Sequence, residues 1–196
     1  MSAPIHAIFG RPLDAAPPPG FEVAVFGMGC YWGVEQLFWQ QQGVWMTEVG
    51  FAGGTAEAPT YVQVCDGGTG HAEVVRITYD PARIGYERLL QLFWENHDPT
   101  QGNRQGNDIG DQYRSVILTT TPAQGVQAKA SRVDFDNRLG VNGFGHITTR
   151  IAPLEQFWRA PEELHQQYLH KVPDGYCALR GTGVRLGASH DQREAG

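Results

Sequence analysis

The chain lacks any apolar run near the ~18 to 20 residues that a membrane-crossing helix needs, so no membrane association is expected. Residues 1–20 lack a basic start followed by an apolar stretch, and no secretory signal is expected. Positive charge is not in excess: 15 Lys and Arg stand against 21 Asp and Glu, for a formal net charge of −6 and a pI near 5.6. That balance argues against nucleic acid or an anionic surface as partner. Cysteine is scarce, with Cys30, Cys65 and Cys177 forming no Cys-x-x-Cys pair. An odd, sparse count suits a reducing compartment, the cytoplasm by expectation, with thiols either inert in the core or chemically employed.

What remains is 196 residues that are 41% hydrophobic and 11% aromatic, with 25 glycines. A chain of this size buries ~70% of its unfolded surface and needs no disulfide staples. One catalytic-sized domain is expected over 21–186, behind a flexible Pro-rich arm (1–20) and ahead of a disordered tail (187–196). The run Ala15-Ala16-Pro17-Pro18-Pro19-Gly20 cannot hold regular hydrogen-bonded structure.

Periodicity predicts strands over 22–26, 44–51, 71–79, 113–120 and 146–152. It predicts helices over 30–42, 86–96, 122–137 and 161–170, with Pro122 in a first turn. Residues from 52 through Gly70 read as loop. Strand–helix–strand repeated twice is the split βαβ pattern of an α+β chain. The expected fold is a ferredoxin-like two-layer sandwich, a mixed sheet with helices on one face, plus a long coil-rich C-terminal region.

Cys30 follows Gly27-Met28-Gly29 at a predicted strand-to-helix turn, where unpaired amides and the helix dipole favour a thiolate. Tyr31 and Trp32 add large apolar faces beside the sulfur. The competing reading is a buried core cysteine. Glu73 interrupts a strand and, by alternation, shares a face with Val75 and Ile77, where its charged form would be destabilised. The alternative is a solvated strand residue. The long polar loop from Asp98 to Gln112 lacks the spacing of a calcium loop, and no metal site is expected. His165, Gln166, Tyr168 and His170 read as one polar helix side. Cys177, in a glycine-rich tail, either swings in to meet Cys30 or is an unused surface thiol.

Several stretches together resemble one family, the A-type peptide methionine sulfoxide reductases. They are Gly29-Cys30-Tyr31-Trp32-Gly33, Gly50-Phe51-Ala52-Gly53-Gly54, Pro59-Thr60-Tyr61 with Val64-Cys65, and Gly70-His71-Ala72-Glu73. Further along come His97-Asp98-Pro99-Thr100, Gln105-Gly106-Asn107-Asp108-Ile109-Gly110, Gln112-Tyr113-Arg114-Ser115 and His165-Gln166-Gln167-Tyr168-Leu169. The resemblance implies reduction of methionine S-sulfoxide, free or in proteins, with repair of oxidative damage as its purpose. It implies Cys30 as nucleophile, Glu73 as acid, Tyr61 and Tyr113 as hydroxyl donors, and Asp108 as a supporting residue. Tyr31 and Trp32 would form the methyl pocket, and Cys177 would resolve a Cys30 sulfenic acid into a disulfide. Thioredoxin is the implied reductant and partner, with no bound cofactor, and a monomer is expected. Cys65 is expected to be structural.

Two positions depart from the family pattern. Tyr31 stands where phenylalanine is usual, which is expected to place a hydroxyl at the pocket rim. Arg185 stands where some members carry a second tail cysteine, so a two-step relay through the tail is not expected. A thiol peroxidase, a cysteine hydrolase and a peptide-binding module are the rival readings of the same residues.

Overall fold

The computed structural model describes residues 3–161 and 163–187. Side chains alternate along β1 (Glu22–Met28), so Ala24, Phe26 and Met28 face one way and Val25 the other. Strands β2 (Val44–Ala52) and β3 (Ala72–Tyr79) do the same, sending Val49, Phe51, Val75, Ile77 and Tyr79 to the first face. Helix α1 (Tyr31–Trp39) links β1 to β2 and covers that face with Val34 and Phe38. Helix α3 (Tyr86–Asn96) adds Leu89 and Phe93, and α4 (Pro122–Val141) adds Ala128 and Phe135. The helices therefore lie on one face, as expected. The opposite face buries a smaller cluster of Val25, Ala52, Val74, Val116 and Leu118.

The sheet runs β7-β6-β1-β3-β2-β8, with β6 at Ser115–Thr119, β7 at Arg150–Pro153 and β8 at Phe157–Arg159. Its central pairs are antiparallel, while β6 and β7 pair in parallel, so the sheet is mixed. Strand β3 sits between β1 and β2, and β1 between β3 and β6. The α1 and α3 crossovers thus each span an intervening strand, whereas α4 joins the adjacent parallel strands β6 and β7.

Three segments differ from expectation. The loop from 52 to 70 contains a short helix, α2 (Tyr61–Asp66). Its start is a Thr60/Gln63 capping box, each side chain satisfying the other's backbone amide. The arm is not free along its length. Leu13 N donates to Pro4 O at 2.9 Å, His6 is fully buried, and its Nε2 meets Thr47 Oγ1 at 3.0 Å. Apart from the isolated Ile5–Pro12 bridge, residues 3–20 are turn and coil without strand or helix. The tail beyond Gly187 lies outside the described residues.

The third difference bears on the site. The helix expected over 161–170 is instead a 3-10 turn (Glu163–His165), a left-handed Gln167 (φ 50°), and α5 (Tyr168–Lys171). Buried acceptors explain the break. Glu35 of α1 accepts from Gln167 N at 2.7 Å and from its Nε2 at 2.8 Å. Gln166 bonds both the N–H and the carbonyl of Val49, at 3.0 and 2.8 Å. Hydrogen bonds to buried polar groups outweigh one residue of unfavourable backbone. His165, Gln166 and Gln167 are therefore buried and do not form a solvated helix side.

Candidate active site

Strand β1 ends at Met28, and Gly29 turns the chain with φ +93°. A Cβ there would lie 2.7 Å from Gln105, so both the conformation and the space call for glycine. Cys30 follows as the N-cap of α1 and is half-buried. Glu73, paired across the sheet with Phe51, is 1% exposed and points to the helix-bearing face beside Val75 and Ile77. Its Oε2 accepts the Tyr31 N–H at 3.0 Å. Burial pushes the Glu73 carboxyl up to about 8; Asp108 adds to the rise and the Tyr31 amide opposes it. At neutral pH Glu73 is a neutral acid.

The expectation of a resting Cys30 thiolate is not met. Burial pushes its thiol up, against one hydrogen bond from the Trp32 backbone, and Glu73 adds to the rise once it ionises. The physical reason lies in the helix start. Of its first free amides, that of Tyr31 goes to Glu73, leaving the Trp32 amide to oppose desolvation of the sulfur.

The remaining expected residues converge on this pair. Glu73 acts electrostatically on Cys30, Tyr61 and Tyr113; Asp108 acts on Cys30, Glu73 and Tyr113; Cys177 acts on Cys30. Tyr61 opens α2 and Tyr113 closes a 3-10 turn ahead of β6. Burial pushes both phenols up, so each stays a neutral hydroxyl donor. The Cys65 side chain hydrogen-bonds the Tyr61 hydroxyl. Asp108, in the two-residue strand β5 (Asp108–Ile109), accepts the Tyr176 hydroxyl at 3.0 Å. That bond ties the tail residue beside Cys177 to the site.

Trp32 is partly exposed, with its indole stacked on Tyr168 at 4.0 Å and its Nε1 donating to His165 Nδ1 at 3.2 Å. Tyr31 differs from expectation. It is 1% exposed and packs against Phe51 and His165, with its hydroxyl buried and not at a rim. As the first residue of α1 beside β2, its ring is carried into the core, where it backs the Trp32 wall. His165, Tyr168 and Tyr176 are the neighbours that the sequence reading missed. His165 contacts Tyr61 at 4.3 Å, a packing that no spacing rule announces. Among the described residues no group of three His, Cys, Asp or Glu side chains could hold a metal ion.

Buried titratable groups predict how stability varies with pH. Glu35 is pushed up to about 7 and Glu73 to about 8, both by burial, from an ordinary 4.5. The folded state then binds more protons than the unfolded above pH 4.5, and stability falls as pH rises through that window. His6 and His97 are pushed down to about 4 by burial, from an ordinary 6.5. They oppose the fall below 6.5 and contribute nothing above it. The melting temperature is expected to decline between pH 6.5 and 8.5, and Glu73→Gln should flatten that decline. A melting temperature that rises across this range contradicts the burial argument.

Comparison with known proteins agrees with the geometry. The family model that matches, over residues 22–193, is Peptide methionine sulfoxide reductase. The MsrA protein of Rhodospirillum centenum is 58% identical over 180 residues, covering 92% of this chain and 82% of that protein. That of Pseudomonas aeruginosa strain UCBPP-PA14 is 55% identical over 183 residues, covering 93% and 85%. Among solved structures, methionine sulfoxide reductase A of Corynebacterium diphtheriae superposes with a TM-score of 0.81 at 43% identity, covering 89% of this chain and 84% of that one. Reduced Mxr1 from Saccharomyces cerevisiae gives 0.75 at 31%, covering 85% and 96%. The same yeast protein has also been solved in complex with Trx2, which at 21% identity, a TM-score of 0.55 and coverage of 87% and 94% shares the fold. The class is that of an oxidoreductase that reduces methionine sulfoxide. The chain belongs to the peptide methionine sulfoxide reductase family, and to its A type.

Proposed function

We propose that the chain reduces the S epimer of methionine sulfoxide through a Cys30 sulfenic acid and a Cys30–Cys177 disulfide. The observation that carries this reading is the pairing at the start of α1, where the neutral, buried Glu73 of β3 accepts the amide of Tyr31, the residue that follows the N-cap Cys30.

A sulfoxide has an electron-poor sulfur and an electron-rich oxygen. The Cys30 sulfur attacks the former while Glu73 gives its proton to the latter, and the thiol proton of Cys30 restores Glu73. Hydroxyls of Tyr61 and Tyr113 donate to the same oxygen and polarise it. Trp32, backed by Tyr31, holds the S-methyl group and sets which epimer fits. Oxygen passes to Cys30, so that a thiol and a sulfoxide become a sulfenic acid and methionine. Asp108 supports the site from the loop side.

The Cys177 thiol then attacks the sulfenic sulfur, expelling water and forming the disulfide. A thioredoxin dithiol reduces that bond and is itself oxidised, so no bound cofactor is required. The complex of yeast Mxr1 with Trx2 supports this choice of reductant. Because Cys30 rests as a thiol, its deprotonation accompanies attack and does not precede it.

Single-turnover incubation with the separate R and S sulfoxides, followed by thiol counting, tests the scheme. Conversion of the S form alone, with two thiols lost per methionine formed, is expected. Equal conversion of both epimers, or methionine formed with no thiol lost, overturns it.

A further inference from the structure

Gly33 lies three residues beyond Cys30 on α1, on the same side of the helix and about one turn along. Its backbone makes no demand for glycine: it is not in the left-handed region, and alanine is the better helix former. The demand comes from outside the helix. A Cβ at position 33 would lie 2.6 Å from Cys177 Sγ and 3.1 Å from Leu179 Cβ. Ordinary contact between such atoms is about 3.5 to 4.0 Å. The missing side chain is the space in which the tail sulfur sits.

We propose that Gly33 is a positioning residue for the resolving step: its bare backbone seats Cys177 one helical turn from Cys30. The inference rests on the reading that Cys177 resolves the sulfenic acid. Cys177 is exposed and belongs to a tail without helix or strand, so the tail, not α1, yields to an added methyl group. Displacing a flexible side chain costs little stability. Here the displaced atom is the reacting sulfur, and a misplacement of about 1 Å costs on the order of 10²-fold in rate. The nearest atoms that such a methyl group meets belong to Cys177 and Leu179, and Cys177 takes no part in the first step.

The test compares wild type, Gly33→Ala and Cys177→Ser. In Gly33→Ala, methionine formation in single turnover with methionine S-sulfoxide should match wild type, and the melting temperature should hold or rise. Steady turnover with thioredoxin should fall about 10²-fold. One thiol, not two, should be lost on the wild-type timescale, with a sulfenic acid that a 1,3-dione traps. A purely structural role for Gly33 would lower the melting temperature and the first step together, and that result overturns the inference. So does loss of the second thiol from Gly33→Ala at the wild-type rate while Cys177→Ser stalls with one. If Cys177→Ser itself loses two thiols, the resolving role fails, a result distinct from failure of the Gly33 seat.

Discussion

Cys30→Ser is expected to abolish methionine formation, in single turnover and in the steady state, while the protein keeps its fold. A serine hydroxyl at the same N-cap is favourable for the helix, so stability should not suffer. Chemistry should be lost completely because oxygen attacking the sulfoxide sulfur leaves no group that can carry the abstracted oxygen as a reducible sulfenic acid. Other thiols cannot substitute. Cys65 hydrogen-bonds Tyr61 from α2, and Cys177 sits over Gly33, while Glu73 holds the amide of Tyr31 next to Cys30. Methionine released from methionine S-sulfoxide is the readout, with circular dichroism to confirm the fold. Sustained turnover in this variant would remove Cys30 as the attacking group. Retained sulfoxide binding without chemistry would show that Trp32 and its neighbours form a binding wall independent of the sulfur.

How far the sequence carried the argument depends on the kind of residue. Glu73 was legible because strand alternation with Val75 and Ile77 is a period-two pattern, and the carboxyl sits on the face that pattern assigns. Cys30 was legible as a helix start because Gly29 and the switch in periodicity mark the turn. Its protonation state was not, since that depends on which backbone amide reaches which side chain, and the Tyr31 amide reaches Glu73. The helix expected over 161–170 is broken for a related reason. Its polar residues satisfy Glu35 and Val49, more than 110 positions away in the chain, and local propensity carries no trace of such partners. The Thr60/Gln63 capping box of α2, by contrast, was present in the sequence as a recognisable signature within a segment read as loop.

Glu73→Gln is expected to slow methionine formation in single turnover by ~10²- to 10⁴-fold, the usual worth of a positioned proton donor. The substitution is close to isosteric, and the amide oxygen can still accept the Tyr31 N–H. Because Glu73 is neutral at neutral pH, no buried charge is lost, and the variant isolates proton transfer from packing. The pH profile of the wild-type first step gives an independent check. With Glu73 pushed up to about 8, the acid form holds below that value, and the rate should fall as pH rises through it. A rate limited by ionising Cys30 would show the opposite slope, rising with pH, because burial pushes that thiol up. The sign of the slope therefore identifies which proton governs the reaction. Glu73→Gln should remove the fall as well as lower the rate; a variant with the wild-type single-turnover rate would take Glu73 out of the proton path.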